Sequence, residues 1–260
     1  MSAIEETAAR LRAAYLPGAP IAPISAAFRE GDIESAYAVQ AANTRYWLDE
    51  KRRMVGRKIG LTSKVVQQQF GIDQPDYGIL FADTDMSGRE IDSTRLIQPR
   101  MEAEIALVLG RDLTSTQLTL ADVMSAVDYV VAALEVVDSR IADWKIGILD
   151  TIADNGSNGM FVLGAAPRKL TDIDLAGCGM AMIKNGATVS VGVGAACLGH
   201  PLFAAKWLAE TMAKTDYPLR AGDIILSGAL GPMVEARPGD VFEAHITGLG
   251  SVRGVMSSKG

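Results

Sequence analysis

The chain is 260 residues long, 48% hydrophobic and 22% charged, with a formal charge of −6 and a pI near 5.0. That length builds one large domain or a main domain with a small appendage, and the composition is that of a folded globular protein. The acidic balance lacks the basic face that nucleic acid requires, and no apolar run reaches the ~18–20 residues of a membrane span, so neither partner is expected.

No signal-peptide pattern opens the sequence, and a cytoplasmic location is the expectation. Cys178 and Cys197 are too few for a disulfide framework and are not in C-x-x-C spacing. With only His200 and His245, H-E-x-x-H zinc sites are excluded and a Ser-His-Asp arrangement has few ways to form.

Apolar residues at helical spacing over Ile4–Tyr15 predict a short amphipathic helix, ended by Leu16-Pro-Gly-Ala-Pro. A second helix is expected after Asp32 as N-cap, running to the Lys51-Arg52-Arg53 cluster, where cations suit the helix dipole. Met54–Ser63 reads as a strand broken by glycines, with Lys58 in its middle as either a surface lysine or one facing a pocket. Ser63 is expected to cap a helix through Phe70, followed by a turn-rich loop holding Asp73 and Asp76.

Met101–Gly110 has the residues of a buried strand and two acids such a strand should not tolerate. Side chains alternate along a strand, so Glu102 and Glu104 share one face. Their α-carbons are about 6.5–7 Å apart, close enough for both carboxylates to converge on one cation. The alternative is that they sit at the strand's exposed start.

Thr119–Val127 predicts a helix with Thr119 and Asp122 forming a capping box, leading into an apolar strand over Tyr129–Asp138 whose one interior acid is Glu135. Glu102, Glu104 and Glu135 would supply three hard oxygen ligands from two strands, which suits Mg²⁺ or Mn²⁺. Asp150–Gly159 reads as a long polar loop. Strand character resumes at Phe161–Gly164, and Met180–Lys184 with Thr188–Val191 predicts a hairpin around Asn185-Gly186.

Gly192-Val-Gly-Ala-Ala-Cys lacks the third glycine of a dinucleotide fingerprint and is not expected to bind nucleotide. His200-Pro201 opens a helix to about Lys214, His200 serving as a cap rather than a ligand. Short strands are expected at Asp223–Ser227, Met233–Ala236, Val241–Ile246 and Ser251–Met256. Without regular βα alternation the class is α+β with strands predominating.

Gly56-Arg-Lys-Ile-Gly-Leu-Thr-Ser, Gln74-Pro-Asp-Tyr-Gly, Glu102-Ala-Glu-Ile-Ala, Glu135-Val-Val-Asp-Ser-Arg-Ile, Asp143-Trp-Lys and Ala153-Asp-Asn-Gly-Ser together resemble the hydratase/decarboxylase family of aromatic meta-cleavage pathways, within the fumarylacetoacetate hydrolase superfamily. The resemblance implies a mixed β-roll core with an N-terminal helical region, divided as residues 1–53 and 54–260. It also implies a homo-oligomer, a pentamer or decamer, and one Mg²⁺ or Mn²⁺ on Glu102, Glu104 and Glu135. The substrate implied is a small 2-oxo or 2-enol carboxylate.

The motifs are most similar to the branch that hydrates 2-hydroxypenta-2,4-dienoate, with Lys58 and Asp76 as acid and base and Ser157 bonding the substrate carboxylate or a water. Asn155-Gly-Ser stands where Asn-Ala-Ser is more usual, leaving Ser157 in place. A lysine partly desolvated beside a divalent cation is expected to have a lowered pKa, and Asp138 and Arg140 are expected to orient the glutamates.

Decarboxylation of 2-oxohex-3-enedioate is the alternative activity, with Arg57, Lys64 or Lys145 meeting the second carboxylate. A C–C bond hydrolase is disfavoured, since that branch has Asp where this chain has Glu135. A non-catalytic metal-binding or scaffold role is a further alternative.

Overall fold

The computed structural model describes residues 2–15, 19–29, 31–64, 67 and 74–258. The residues linking the first two helices at 16–18, most of the helix expected over 63–70, and the loop position Asp73 lie outside the described residues.

Two N-terminal helices come first, α1 (Ala3–Tyr15) and α2 (Ile33–Asp49). Asp32 caps α2 by accepting from the Ser35 N–H at 3.1 Å, satisfying a donor that the first turn leaves free. Strands β1 (Met54–Gly60) and β2 (Asp76–Phe81) pair antiparallel. After β3 (Arg100–Leu109), helix α3 (Leu120–Ala126) carries the Thr119/Asp122 capping box and leads into β4 (Val127–Val137).

The chain continues through α4 (Ile148–Ala153), β5 (Asn158–Leu163), β6 (Gly179–Lys184), β7 (Ala187–Val193) and α5 (Pro201–Met212). It ends with β8 (Ile224–Leu226), β9 (Val234–Glu235), β10 (Val241–Ile246) and β11 (Gly250–Val255). His200 caps α5 through Nδ1, which accepts from the Leu202 N–H at 3.0 Å. Asn185 and Gly186 take φ of 52° and 86° in the β6–β7 turn, the left-handed pair a two-residue hairpin needs.

One sheet runs in the order β2-β1-β8-β3-β4-β5, with β9 also on β3; the other runs β11-β10-β6-β7. The late strand β8 is inserted between β1, which it meets parallel, and β3, which it meets antiparallel. Beyond β2 the chain bridges to the far edge, Asp85 to Phe161, so the larger sheet curls until its two ends touch. The second sheet packs on it, placing Phe242, Ala244 and Val252 in one apolar core with Leu134 and Val162. No helix among the described residues is long and apolar enough to cross a membrane.

The segment 150–159, expected as a polar loop, is instead buried as α4, a left-handed turn and the start of β5. Its polar side chains turn inward because, Ser157 apart, they have partners there. Asp150 accepts from the Gly147, Ile24 and Ser25 N–H groups. Asp154 takes the Arg140 Nε and N at 2.6 and 2.9 Å, with the guanidinium 4.4 Å from the Tyr15 ring centroid. Gln40 on α2 donates to Tyr77 O and Ile152 O, tying the N-terminal helices to β2 and α4.

Breaking a buried ion pair leaves one charge uncompensated, so Asp154→Asn is expected to cost about 3–5 kcal/mol. A denaturant titration checks this; a loss below about 1 kcal/mol, the worth of an exposed pair, would contradict it.

Candidate active site

Glu102 and Glu135 are direct cross-strand partners on β3 and β4, and Glu104 follows on the same face of β3. One oxygen from each can be chosen so that all three lie within 4.8 Å of one another. Glu104 and Glu135 are fully buried, whereas Glu102 is half-buried and lines a cavity of about 710 Å³.

Lys58 Nζ lies 3.2 Å from Glu135 Oε1, which also accepts from Asn158 Nδ2 at 3.0 Å. Glu104 Oε2 accepts from the Gly228 N–H at 2.8 Å. Glu104 Oε1 and Glu135 Oε2 are buried with no hydrogen-bond partner, as are Asp76 Oδ1 and Ser157 Oγ. Four carboxyl groups thus face one ammonium, and two orphaned carboxylate oxygens belong to the triad. Such a cluster lacks positive charge and offers only hard oxygen donors, which fits a divalent cation of the Mg²⁺ or Mn²⁺ type.

Burial, the Glu135 charge and the acids around them push Glu102 up to about 7 from the usual 4.5, and burial with Glu135 and Glu102 lifts Glu104 well above that value. A carboxyl whose folded pKa exceeds its unfolded one contributes stability that is full below about 4.5 and is lost as pH rises through about 7. In chelator the protein is therefore expected to melt at falling temperature across that window. Asp32 and Asp112, whose pKa values are lowered, exert their effect below it. Calorimetry of wild type and Glu102→Gln checks this; an equal slope in both would contradict it.

Burial alone would depress the Lys58 ammonium, but Glu135, Asp76, Glu102 and Glu104 outweigh burial and hold it above the ordinary lysine value. The lowered value expected from sequence belongs to a lysine beside a bound cation; without an ion, the anions packed round the amine set the direction.

Asp76 is held up by burial, and its Oδ2 accepts from Thr151 Oγ1 at 3.1 Å. Gly60 separates Asp76 and Lys58: a β-carbon there would sit 2.1 Å from Asp76 Oδ1 and 3.5 Å from Lys58 Nζ. Its missing side chain opens the cavity to both groups. Ser157 ends a turn in which Asn155, Gly156 and Ser157 all have positive φ, of 58°, 61° and 53°. That strained turn is fastened by the Asn155 side chain, which accepts from Ile79 N and donates to Ile79 O, and it packs against Gly78, where a β-carbon would strike Asn155 O at 2.2 Å.

Lys58, Asp76 and the three glutamates therefore meet in one place, and Ser157 stands in the chain between Gly156, which packs on Lys58, and Asn158, which bonds Glu135. Asp138 and Arg140 do not touch the glutamates: Asp138 accepts from the Ile97 and Gln98 N–H groups, and Arg140 bonds Asp154 and Asn158 O. Asn158 and Gly228 hold the glutamates instead, and Thr151 holds Asp76; the sequence reading missed all three. Asn158 was hidden in a supposed loop, and nothing local marks Gly228 or Thr151. Arg57 points to the opposite face of β1 and donates to Gly56 O and Tyr217 O, while Lys64 and Lys145 are exposed. Cys178 and Cys197 are free and buried.

Residues 71–256 match the family described as Fumarylacetoacetate (FAA) hydrolase C-terminal. The chain is 54% identical to 2-keto-4-pentenoate hydratase 1 of Dechloromonas aromatica (strain RCB), covering 97% of each chain. It is 55% identical to 2-keto-4-pentenoate hydratase of Paraburkholderia xenovorans (strain LB400), over 96% of this chain and 93% of that one. The structure of 4-oxalocrotonate decarboxylase from Pseudomonas putida G7, complexed with magnesium and adipate, superposes with a TM-score of 0.93 at 35% identity, covering 97% of each chain.

Proposed function

Because the chain belongs to the fumarylacetoacetate hydrolase family, we propose that it is a hydro-lyase adding water to 2-hydroxypenta-2,4-dienoate, the enol form of 2-keto-4-pentenoate, to give 4-hydroxy-2-oxopentanoate in aromatic meta-cleavage catabolism. The observation that carries this reading is near-full-length identity to the hydratases well above that to the decarboxylase. Decarboxylation of 2-oxohex-3-enedioate is the second reading, favoured by the close superposition on that enzyme.

Glu102, Glu104 and Glu135 are the residues that would hold Mg²⁺ or Mn²⁺. When bound, the ion supplies Lewis acidity to the substrate's carboxylate and C2 oxygen. The chain's own groups move the protons. Lys58, kept charged by its acidic neighbours, donates to C5 and is recharged by the C2 hydroxyl proton, giving the conjugated 2-oxo-3-enoate. Water then adds its oxygen to C4; Asp76, through its unpartnered Oδ1, takes the water's proton and passes it to C3. Ser157 Oγ, buried and free to bond, orients the water or the carboxylate.

Residues 54–260 carry the chemistry in this reading, with 1–53 bracing Asp76 and Thr151 from behind through Gln40. A cytoplasmic homo-oligomer, pentamer or decamer, belongs to the same proposal.

The test is a Mg²⁺-dependent ultraviolet assay with enzymatically generated 2-hydroxypenta-2,4-dienoate alongside 2-oxohex-3-enedioate, products being identified by mass. Gain of one water on the dienoate is expected. Turnover of the diacid alone, with loss of carbon dioxide, would move the protein to the decarboxylase branch.

A further inference from the structure

Arg100 opens β3 on the face that carries Glu102 and Glu104, and it is the one cationic side chain lining the cavity among the described residues. Its guanidinium carbon sits 4.4 Å from the centroid of the Trp144 ring. Among the described residues no carboxylate forms an ion pair with it, whereas Arg52, Arg95, Arg140, Arg220, Arg237 and Arg253 each have an acidic partner.

Trp144 is itself fixed. Its Nε1 donates to Gln98 O at 3.0 Å, and the Gln98 amide donates to Ser139 O and Ile141 O. Asp143 and Trp144 both take left-handed backbone, φ 59° and 55°, which residues with a β-carbon adopt only where their surroundings enforce it. The fold therefore uses a strained turn to set an aromatic ring against a cation whose nearest acids, its cross-strand partner Glu235 and Glu102 on its own strand, make no ion pair with it.

Strand register says which end of a substrate that cation meets. Lys58 pairs with Leu226, and Leu226 with Ala106 on β3. Gly60 and its partner Asp76 lie two residues on, toward Glu104. Glu102 and then Arg100 follow along the β3 face, so Arg100 and the proton-moving pair flank the glutamates from opposite ends.

Resting on the function proposed above, we infer that Arg100 grips the substrate's C1 carboxylate, leaving C3 to C5 to run toward Lys58 and Asp76. A guanidinium held against a ring presents a planar fork that matches a carboxylate. Much of the remaining wall, Ile146, Ile148, Val191, Val193 and Pro232, is apolar and offers a second carboxylate no partner. Among the described residues the wall holds no second cation, its side-chain hydroxyls being those of Thr62, Ser63 and Thr151, which favours monocarboxylates.

The test uses Mg²⁺-loaded protein titrated calorimetrically with pyruvate, which carries the carboxylate and 2-oxo group alone, together with turnover of the dienoate and the diacid. Arg100→Ala is expected to weaken pyruvate about 10- to 100-fold and to raise KM for the dienoate similarly, with kcat nearly unchanged. Arg100→Lys recovers part of this, and Trp144→Ala, which unpins the guanidinium, weakens pyruvate by a smaller factor. Unchanged pyruvate affinity in Arg100→Ala would overturn the assignment, as would a loss confined to the diacid. If wild type fails to hydrate the dienoate while Arg100→Ala still loses pyruvate, the proposed function falls and the assignment of Arg100 stands.

Discussion

Glu104→Gln is expected to make the chelator-treated protein more stable and the Mg²⁺-loaded enzyme about 10³-fold slower. Glu104 is fully buried, one of its oxygens has no partner, and Glu135 and Glu102 lie against it. Replacing the carboxylate by an amide of the same shape removes a charge that burial and like-charge repulsion both oppose, while an amide oxygen can still accept from Gly228 N–H. A gain of about 1–3 kcal/mol corresponds to a rise in melting temperature of about 2–4 °C per kcal/mol for a chain of this size. The same amide is a poorer ligand for a hard cation, so added Mg²⁺ should raise the melting temperature of wild type more than that of the variant. Melting curves with and without Mg²⁺ read both signs. A variant that melts lower than wild type in chelator would show that Glu104 is held by contacts rather than kept for a cation.

Lys58→Met is expected to lower kcat by about 10³-fold and, in contrast, to destabilise the chelator-treated protein. The methionine fills nearly the same volume but withdraws the one ammonium beside Glu135. Leaving a buried carboxylate without its counter-charge costs about 3–5 kcal/mol, and Mg²⁺ should restore much of that stability without restoring turnover. Stability recovered together with activity would make the lysine a structural counter-ion and remove it from the chemistry.

The opposite signs expected for these two variants arise from features the sequence displays unequally. Alternation alone puts Glu102 and Glu104 on one face, and a single acid in an apolar strand singles out Glu135; strand periodicity is local and survives folding. The Thr119/Asp122 capping box and the Asn185-Gly186 hairpin are equally local. Asp150, Asp154 and Asn155 misled because polar residues in a row look like a loop, and only partners distant in sequence, among them Ile24, Arg140 and Ile79, make their burial favourable. Gly228 and Asn158 reach the glutamates by the same kind of distant pairing. That Glu135, Asp76, Glu102 and Glu104 all surround the Lys58 amine is likewise a product of folding that no spacing rule counts.

The insertion of β8 between β1 and β3 also bears on when the site comes into being during synthesis. Lys58 and Glu104 sit on strands whose shared neighbour, Ile224–Leu226, is about 120 residues beyond β3 in the chain. Until that segment has left the ribosome, the lysine strand and the glutamate strand lack their shared neighbour and meet only round the other edge of the sheet, through the Asp85–Phe161 bridge and the Asn155 contacts to Ile79. Closing so long a loop is slow relative to forming the β3–β4 and β6–β7 hairpins, which the chain completes earlier. Completion of the β1-β8-β3 part of the sheet, with Gly228 N–H on Glu104, therefore waits on the last quarter of the chain. A divalent cation on the three glutamates, if held as proposed, would then stabilise the completed site as a ligand of the folded state alone.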